Sequence, residues 1–473
     1  MALGRHKDER QQDFWIAITD LPRSEGHVFY RKLNLLLREA GFDVFVETLC
    51  EPYYHDTHGR PGIPPGVYFR MLLVGYFEGI GSQRGIAWRC GDSLSLREFL
   101  GIPLTEDTPD HSSLTRVRDR LPLEIHSGVF QFVLQAAETK GILKGKTIAV
   151  DSTTLEANAA MKSIVRRDTG EDWKAYVKRL MQEEGAIEEG EEPTAEEIAR
   201  FDRKRKDKKV SNREWQSETD PDSRIAKMKD GRTHLAYKAE HAVDLDSELI
   251  LAAPVYHANE ADAETIGPTI SEAQDNVVAA DSEANIQEAV ADKGYHQNET
   301  LAELEFTEGL RTYIAEPKQS QRRNWRDKPE EQRQAVANNR RRIRGRRGRS
   351  LQRQRSEKVE RSFAHVCETG GSRRTWLIGI DKVRKRYLMS AMAHNLGIMM
   401  RRLFGMGTAR SLQAEGGFAV ALHSALFTML KRKKNQLYGL IQSHHKPRHI
   451  WISNSKMVAS FNLCYKQGNY RSS

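Results

Sequence analysis

Cysteine is scarce. The chain of 473 residues has four, Cys50, Cys90, Cys367 and Cys464, widely scattered, with no CxxC pair and no Cys/His ligand spacing. That argues against a disulfide framework and against a zinc cluster. Long apolar runs are also missing. The longest largely apolar, uncharged stretch is Gly416 to Leu430, GGFAVALHSALFTML. It is too short for a membrane span and reads as a buried helix. The opening MALGRHKDERQQDF has no apolar h-region, which argues against secretion. A reducing, cytoplasmic setting is the expectation. An excess of acid is absent too: 74 Lys and Arg face 65 Asp and Glu, for a net charge of +9. Such a balance favours an anionic partner, nucleic acid above all, although a merely solvated basic surface has the same composition. The histidines His55, His58, His241, His257, His394, His444 and His445 show no metal-ligand pattern and read as structural or surface residues.

What is present falls into three parts. Residues 1 to about 140 read as helical. EGHVFYRKLNLLLREAGF has apolar residues at helical spacing, HGRPGIPPG is a linker, and PPGVYFRMLLVGYFEGIGS is a buried helix. RGIAWRC, SLSLREFLG and DHSSLTRVRDRL follow as short helices, the last capped by Asp110 or Ser112. Short Arg-bearing helices of this kind suit a helix-turn-helix reader of DNA, and equally an ordinary surface.

From 146 to about 400 strands appear. KTIAVD is a strand, HLAYKAEHAVDLDSELILAAPVYHAN a hairpin turning at DLDS, and DAETIGPTISEAQDNV a helix despite its proline. QEAVADKGY and GLRTYIAEP are further strands, and SEKVERSFAHVCE is a helix. This order predicts a mixed α+β domain resembling a ribonuclease H-like core, a mixed sheet with flanking helices. Two charged insertions interrupt it. Residues 161 to 232 pair an acidic block, EEGAIEEGEEPTAEE, with a basic one, RKRKDKK, and read as exposed helices or a partly disordered stretch. Residues 318 to 355 include RRRIRGRRGRSLQRQR, with nine arginines in sixteen residues. Residues 401 to 473 are expected to be a helical region and a loosely ordered tail.

Asp151 and Asp292 each follow a short apolar strand. Side chains at the carboxyl ends of strands line the crevice of an open sheet, so two acids from adjacent strands can meet there. Magnesium, a hard cation, suits such carboxylates, although a lone Asp at a strand end is more often a turn or helix cap. On SEKVERSFAHVCE, Val359, Phe363 and Val366 form the apolar stripe. Glu360 lies roughly 75° from its centre and Glu357 roughly 135°. Glu360 can thus reach a metal on the sheet while Glu357 points to solvent; the competing reading is a plain amphipathic helix with i,i+3 and i,i+4 charge pairs.

Taken in order, the pieces HGRPGIPPGVYFRMLLVGYFEGIGSQRGI, DHSSLTRVRDRL, AVDSTTLEANA, HLAYKAEHAVD, ADKGY, RSEKVERSFAHV, RRTWLIG and RYLMSAMAHNLGIMMR resemble the DDE transposases of bacterial insertion sequences. The resemblance spans residues 25 to about 405. It implies Asp151, Asp292 and Glu360 as the catalytic, metal-holding acids, with Mg²⁺ as cofactor and Mn²⁺ as a possible substitute. It implies cleavage at the ends of a mobile element, then attack of the freed 3′-hydroxyl on target DNA, with no covalent protein intermediate. Many relatives carry Tyr and Arg before the Glu and Lys after it. Here Arg355 stands one residue off the Arg position, no Tyr is near, and Cys367 takes the place of the Lys.

The partner implied is double-stranded DNA, both terminal inverted repeats and target, bound by a homodimer at the nucleoid, with no membrane. Arg340, Arg341, Arg342, Arg344, Arg346, Arg347, Arg355, Lys358 and Arg361 are the expected phosphate contacts. Trp325 reads as a small-core anchor in preference to a base-stacking platform. The same acids would also serve a ribonuclease H-like nuclease that cuts without joining. A catalytically idle DNA-binding protein derived from a transposase is a further alternative. An RNA binder is disfavoured, because no RRM or KH signature occurs.

Overall fold

The computed structural model describes residues 27–55, 62–188, 190–206, 210–228, 231–318 and 325–409. The C-terminal tail, with the apolar run at 416–430, lies outside the described residues, as do His58, His444 and His445.

Seven α-helices open the described residues: α1 (Val28–Glu39), α2 (Phe42–Cys50), α3 (Pro65–Glu78), α4 (Gln83–Asp92), α5 (Leu94–Leu100), α6 (His111–Arg120) and α7 (Leu123–Thr139). Their starts are written in the sequence. Ser82, Ser93 and Asp110 cap α4, α5 and α6, each accepting from a backbone N–H three residues on. For α6 the cap is Asp110, whose Oδ1 takes the Ser113 N–H at 2.7 Å. α3 is apolar on nearly every side and lies at the centre of the group. Gly75 allows α4 to press close, because a Cβ there would stand 2.6 Å from Ile86 Cδ1. The one buried cation of α3, Arg70, is held by Asp43 at 2.8 Å and Asn34 at 3.3 Å, which ties α1 and α2 to it.

The second part is built on β1 (Thr147–Glu156). After it come β2 (Ile164–Arg166), α8 (Trp173–Glu183), α9 (Ala195–Lys204) and β3 (Trp215–Ser217). β2 and β3 pair with each other, and Val177, Met181 and Ile198 form a small separate core. Most of the expected charged insertion is therefore ordered structure. Its TAEE stretch forms a capping box, with Thr194 and Glu197 bonding reciprocally.

The main sheet resumes with β4 (Arg224–Lys227), β5 (Thr233–Asp244), β6 (Ile250–Ala252) and β7 (Val255–His257). It then continues through α10 (Asp262–Ala279), β8 (Glu288–Ala291), α11 (Asn298–Ala302) and β9 (Arg311–Ile314). The strand order is β4-β5-β1-β8-β9, with β7 and β6 following β4 along one edge of β5. β1 runs antiparallel to β5 and parallel to β8, and β8 runs parallel to β9. This mixed sheet, with helices on both faces behind a helical N-terminal region, is the ribonuclease H-like arrangement. β8 is buried at every position, as a parallel strand covered on both faces should be.

The chain ends its described part with α12 (Glu330–Arg344), α13 (Arg346–Phe363) and α14 (Ile380–Phe404). The arginine-rich stretch is continuous with the core: it forms α12 and the first half of α13, and α12 packs on β9. Trp325 packs against the main core. α14 lies along α7 and α3 and joins the helical part to the sheet. Among the described residues no helix is long and apolar enough to cross a membrane.

Candidate active site

Register brings two acids to one level. β1 and β8 pair in parallel with Ala149 opposite Val290. Two residues further along, the same offset sets Asp151 beside Asp292 on the same face of the sheet. Asp292 follows the last residue of β8, as the sequence implies, and caps the turn Lys293–Tyr295 by accepting the Gly294 N–H at 2.7 Å. Asp151, by contrast, does not end its strand. β1 continues to Glu156 because β5 keeps pairing with it after β8 has stopped. Asp151 is thus held mid-strand, at the point where its parallel neighbour gives out and the sheet edge opens.

The Asp151 carboxylate is 23% exposed. Its Oδ1 accepts the Ser152 N–H at 2.9 Å, and its Oδ2 accepts from Arg355 Nη1 of α13 at 2.6 Å. Burial pushes its pKa up, the Arg355 guanidinium works against this, and the charges of Asp292 and Asp262 add to the rise. The field of Asp292 is therefore felt at Asp151, as expected for neighbours.

Asp262, at the start of α10, has no place in the sequence reading. Its Oδ1 accepts from Ser152 Oγ at 3.2 Å and lies 3.3 Å from Lys238 Nζ. It also crowds the turn after Asp292: a Cβ on Gly294 would stand 2.7 Å from Asp262 Oδ2 and 3.1 Å from Asp292 Oδ1. The glycine of ADKGY is needed for that close approach. Gln352, also unforeseen, donates from α13 to the Ala291 carbonyl at 2.9 Å and fixes the end of β8.

Glu360 is placed differently. α13 turns Val359, Ser362 and Phe363 inward, and Glu360 is exposed. Its carboxylate meets Ser356 Oγ at 3.4 Å. Glu357 is exposed and pairs with Arg361. Ser362 is the reason the stripe lies further from Glu360 than the apolar positions alone imply: it is buried and bonded to His241 Nδ1 at 2.8 Å. His241, opposite Asp151 on β5, is stacked on Phe363 and bonded to Tyr387, so it is a structural histidine. Among the described residues no three His, Cys, Asp or Glu side chains stand close enough to hold a metal ion. Asp151 and Asp292 suit a hard divalent cation, and Arg355 supplies positive charge at Asp151 in this arrangement.

The expected phosphate-binding cations divide in two. Arg340 is paired with Glu316, Arg342 with Glu305, Arg347 with Glu288, and Arg361 with Glu248. Arg355 holds Asp151, and Lys358 donates to the Leu245 carbonyl. Arg341, Arg344 and Arg346 are exposed and make no ion pair among the described residues.

Comparison with known families decides the lineage. Residues 143–396, more than half of the chain, match the transposase DDE domain, and residues 20–120 match a transposase domain (DUF772). The chain belongs to the DDE transposase family. It is a DNA transposase in general character, a family that binds DNA and uses divalent metal ions. No curated protein and no solved structure matches it. The DDE match covers all of β1 to β9 and most of α14, and so takes in Asp151, Asp292 and Glu360.

Proposed function

We propose that this transposase cuts DNA at the ends of an insertion sequence and joins the freed 3′-hydroxyl to target DNA, with Mg²⁺, or Mn²⁺ in its place. The observation that carries the reading is the placement of Asp151 and Asp292 side by side where the sheet opens. Asp151 and Asp292 would hold the metal, which stabilises charge on the attacking and leaving oxygens of a phosphodiester. β1 and β8 fix both carboxylates on rigid strands. Arg355 balances the Asp151 charge before metal arrives. Glu360 is the proposed third acid. It requires α13 to turn when DNA binds, and the π-helical turn Ala364–Thr369 directly after α13 is a place where a helix changes register.

Backbone contacts are assigned first to Arg341, Arg344 and Arg346, which are free to neutralise phosphates. The N-terminal helices are the proposed sequence readers, and a homodimer is the simplest assembly that holds two ends. The test uses duplexes carrying the element's flanking repeats, in Mg²⁺ and in Mn²⁺. Cleavage followed by joined products supports the reading. Cleavage without joining identifies the nuclease alternative, and binding without cleavage the idle binder. Glu360→Gln should abolish cleavage and Glu357→Gln should spare it; the reverse pattern removes Glu360 from the site.

A further inference from the structure

Away from the acids, a cavity of about 50 Å³ lies between α3, α6, α14 and the loop that carries Gly370 and Trp376. Three cations line it, Arg118, Lys385 and Arg386, among largely apolar and aromatic neighbours such as Tyr76, Ile86, Trp376 and Met389, and no carboxylate does. Arg118 is 8% exposed. Its Nε is fully buried and makes no hydrogen bond, and among the described residues its ion-pair contact is Asp119 Oδ1, 3.5 Å from that same Nε. Asp119 is half exposed and is shared with Lys382 at 3.6 Å. Lys385 Nζ spends one donor on the Arg118 carbonyl at 3.2 Å, out of the three that an ammonium carries. Arg386 is satisfied by the Gly371 and Arg374 carbonyls and lies 3.7 Å over the Trp376 ring. Burial and then the Arg118 charge bring its pKa down to about 10, and burial likewise lowers that of Lys385.

A buried guanidinium whose Nε–H makes no hydrogen bond, beside two more cations, is costly unless an anion completes it. We infer that Arg118 and Lys385 form a binding site for one oxyanion of the phosphate class. An arginine fork and a lysine point charge together match a tetrahedral oxyanion. The cavity is several times the ~10–15 Å³ that one water needs, and it is too small for a nucleobase. One wall is tied to the strand that carries Asp151. Arg373 donates to Thr153 Oγ1 and the Thr154 carbonyl at 2.8 and 2.9 Å, and Asn158 donates to the Trp376 carbonyl at 2.9 Å. A phosphate seated here would brace β1 beyond the acid. Its source is either the backbone of bound DNA or free phosphate.

The site needs neither metal nor cleavage, so its test is independent of the catalytic reading. The full chain is heated in metal-free buffer with inorganic phosphate or with chloride at equal ionic strength. Phosphate should raise the wild-type midpoint by a few degrees beyond chloride. Lys385→Gln should abolish that rise, and Arg118→Lys should keep part of it. Duplex binding against salt then separates the sources. A slope reduced by about one in Lys385→Gln assigns the oxyanion to the DNA backbone, and an unchanged slope assigns it to free phosphate. Phosphate that acts no better than chloride on the wild type overturns the site, as does phosphate that stabilises Lys385→Gln as much as the wild type.

Discussion

Asp151 and Glu240 sit one step apart on adjacent strands, Glu240 opposite Ser152, and face opposite sides of the sheet. Burial pushes both carboxyls up in pKa. Their surroundings differ in what they leave unused. Glu240 is fully buried, with Thr265 and Tyr295 on one oxygen and Thr269 on the other, and Lys238 is 3.4 Å away. Every lone-pair direction that matters is taken, so it belongs to the fold. Asp151 has one backbone donor and one removable guanidinium, opens to solvent, and has a second acid at its side. A buried acid whose bonds are complete holds a protein together, and a half-satisfied one at a sheet opening is available for chemistry.

The sharpest way to break that contrast is substitution. Asp151→Asn or Asp292→Asn should lower cleavage by at least about 10³-fold, roughly 4 kcal/mol of barrier, and leave duplex binding intact. Near-normal cleavage by either variant would end the distinction. Glu240→Ala should instead cost about 3 kcal/mol in urea unfolding, because Lys238 is left with Asp262 as its carboxylate partner and Thr265, Thr269 and Tyr295 lose their buried acceptor. A stable but inactive Glu240→Ala protein would move that residue to the chemical side. The two classes of arginine extend the comparison. Replacing Arg341, Arg344 and Arg346 by Gln should reduce the salt slope of DNA binding by about three with the melting point unchanged. Arg342→Gln should lower stability by about 1–3 kcal/mol, because Glu305 loses its cation and keeps Asn338 alone.

The smallest effect is one of pH. Burial, the largest influence on Glu272 of α10, raises its carboxyl to about 7. The folded chain then holds a proton that the unfolded chain releases near the ordinary carboxylate value. The stabilisation is complete below that value and is lost as pH rises through about 7. Glu272→Gln should flatten the stability profile between pH 4.5 and about 7, by less than the about 3 kcal/mol that the full shift would carry, because solvent screens this part-exposed group. An unchanged slope would show that the proton is held elsewhere.

Much of this was legible in the chain. The apolar runs gave β1 and β5 to β9, ADKGY gave the Asp292 turn, and DHSS gave the α6 cap, while β2, β3 and β4 lie in the charged stretch at 161–232 where no strand was expected. What stayed hidden depended on contacts distant in sequence or on polar residues placed inside. Ser362 counts as polar, yet it is buried by its bond to His241, and that turns Glu360 outward. Asp262 stands in the first turn of a helix, where an acid is expected for the helix dipole alone. The arginines looked free because their partners Glu316, Glu305 and Glu288 lie 24, 37 and 59 residues away. Antiparallel pairing with β5 lengthened β1 beyond its apolar run, since Ser and Thr sit well in a strand that a neighbour continues to bond.

Titration of Mn²⁺ into the full-length chain at neutral pH tests the central claim most directly, comparing wild type, Asp151→Asn, Asp292→Asn and the double variant. Each single variant should bind at least about tenfold more weakly, and the double variant should be little worse than either, because the two acids serve one ion. Wild-type affinity in either single variant, or losses that simply add, would mean that Asp151 and Asp292 do not share a metal.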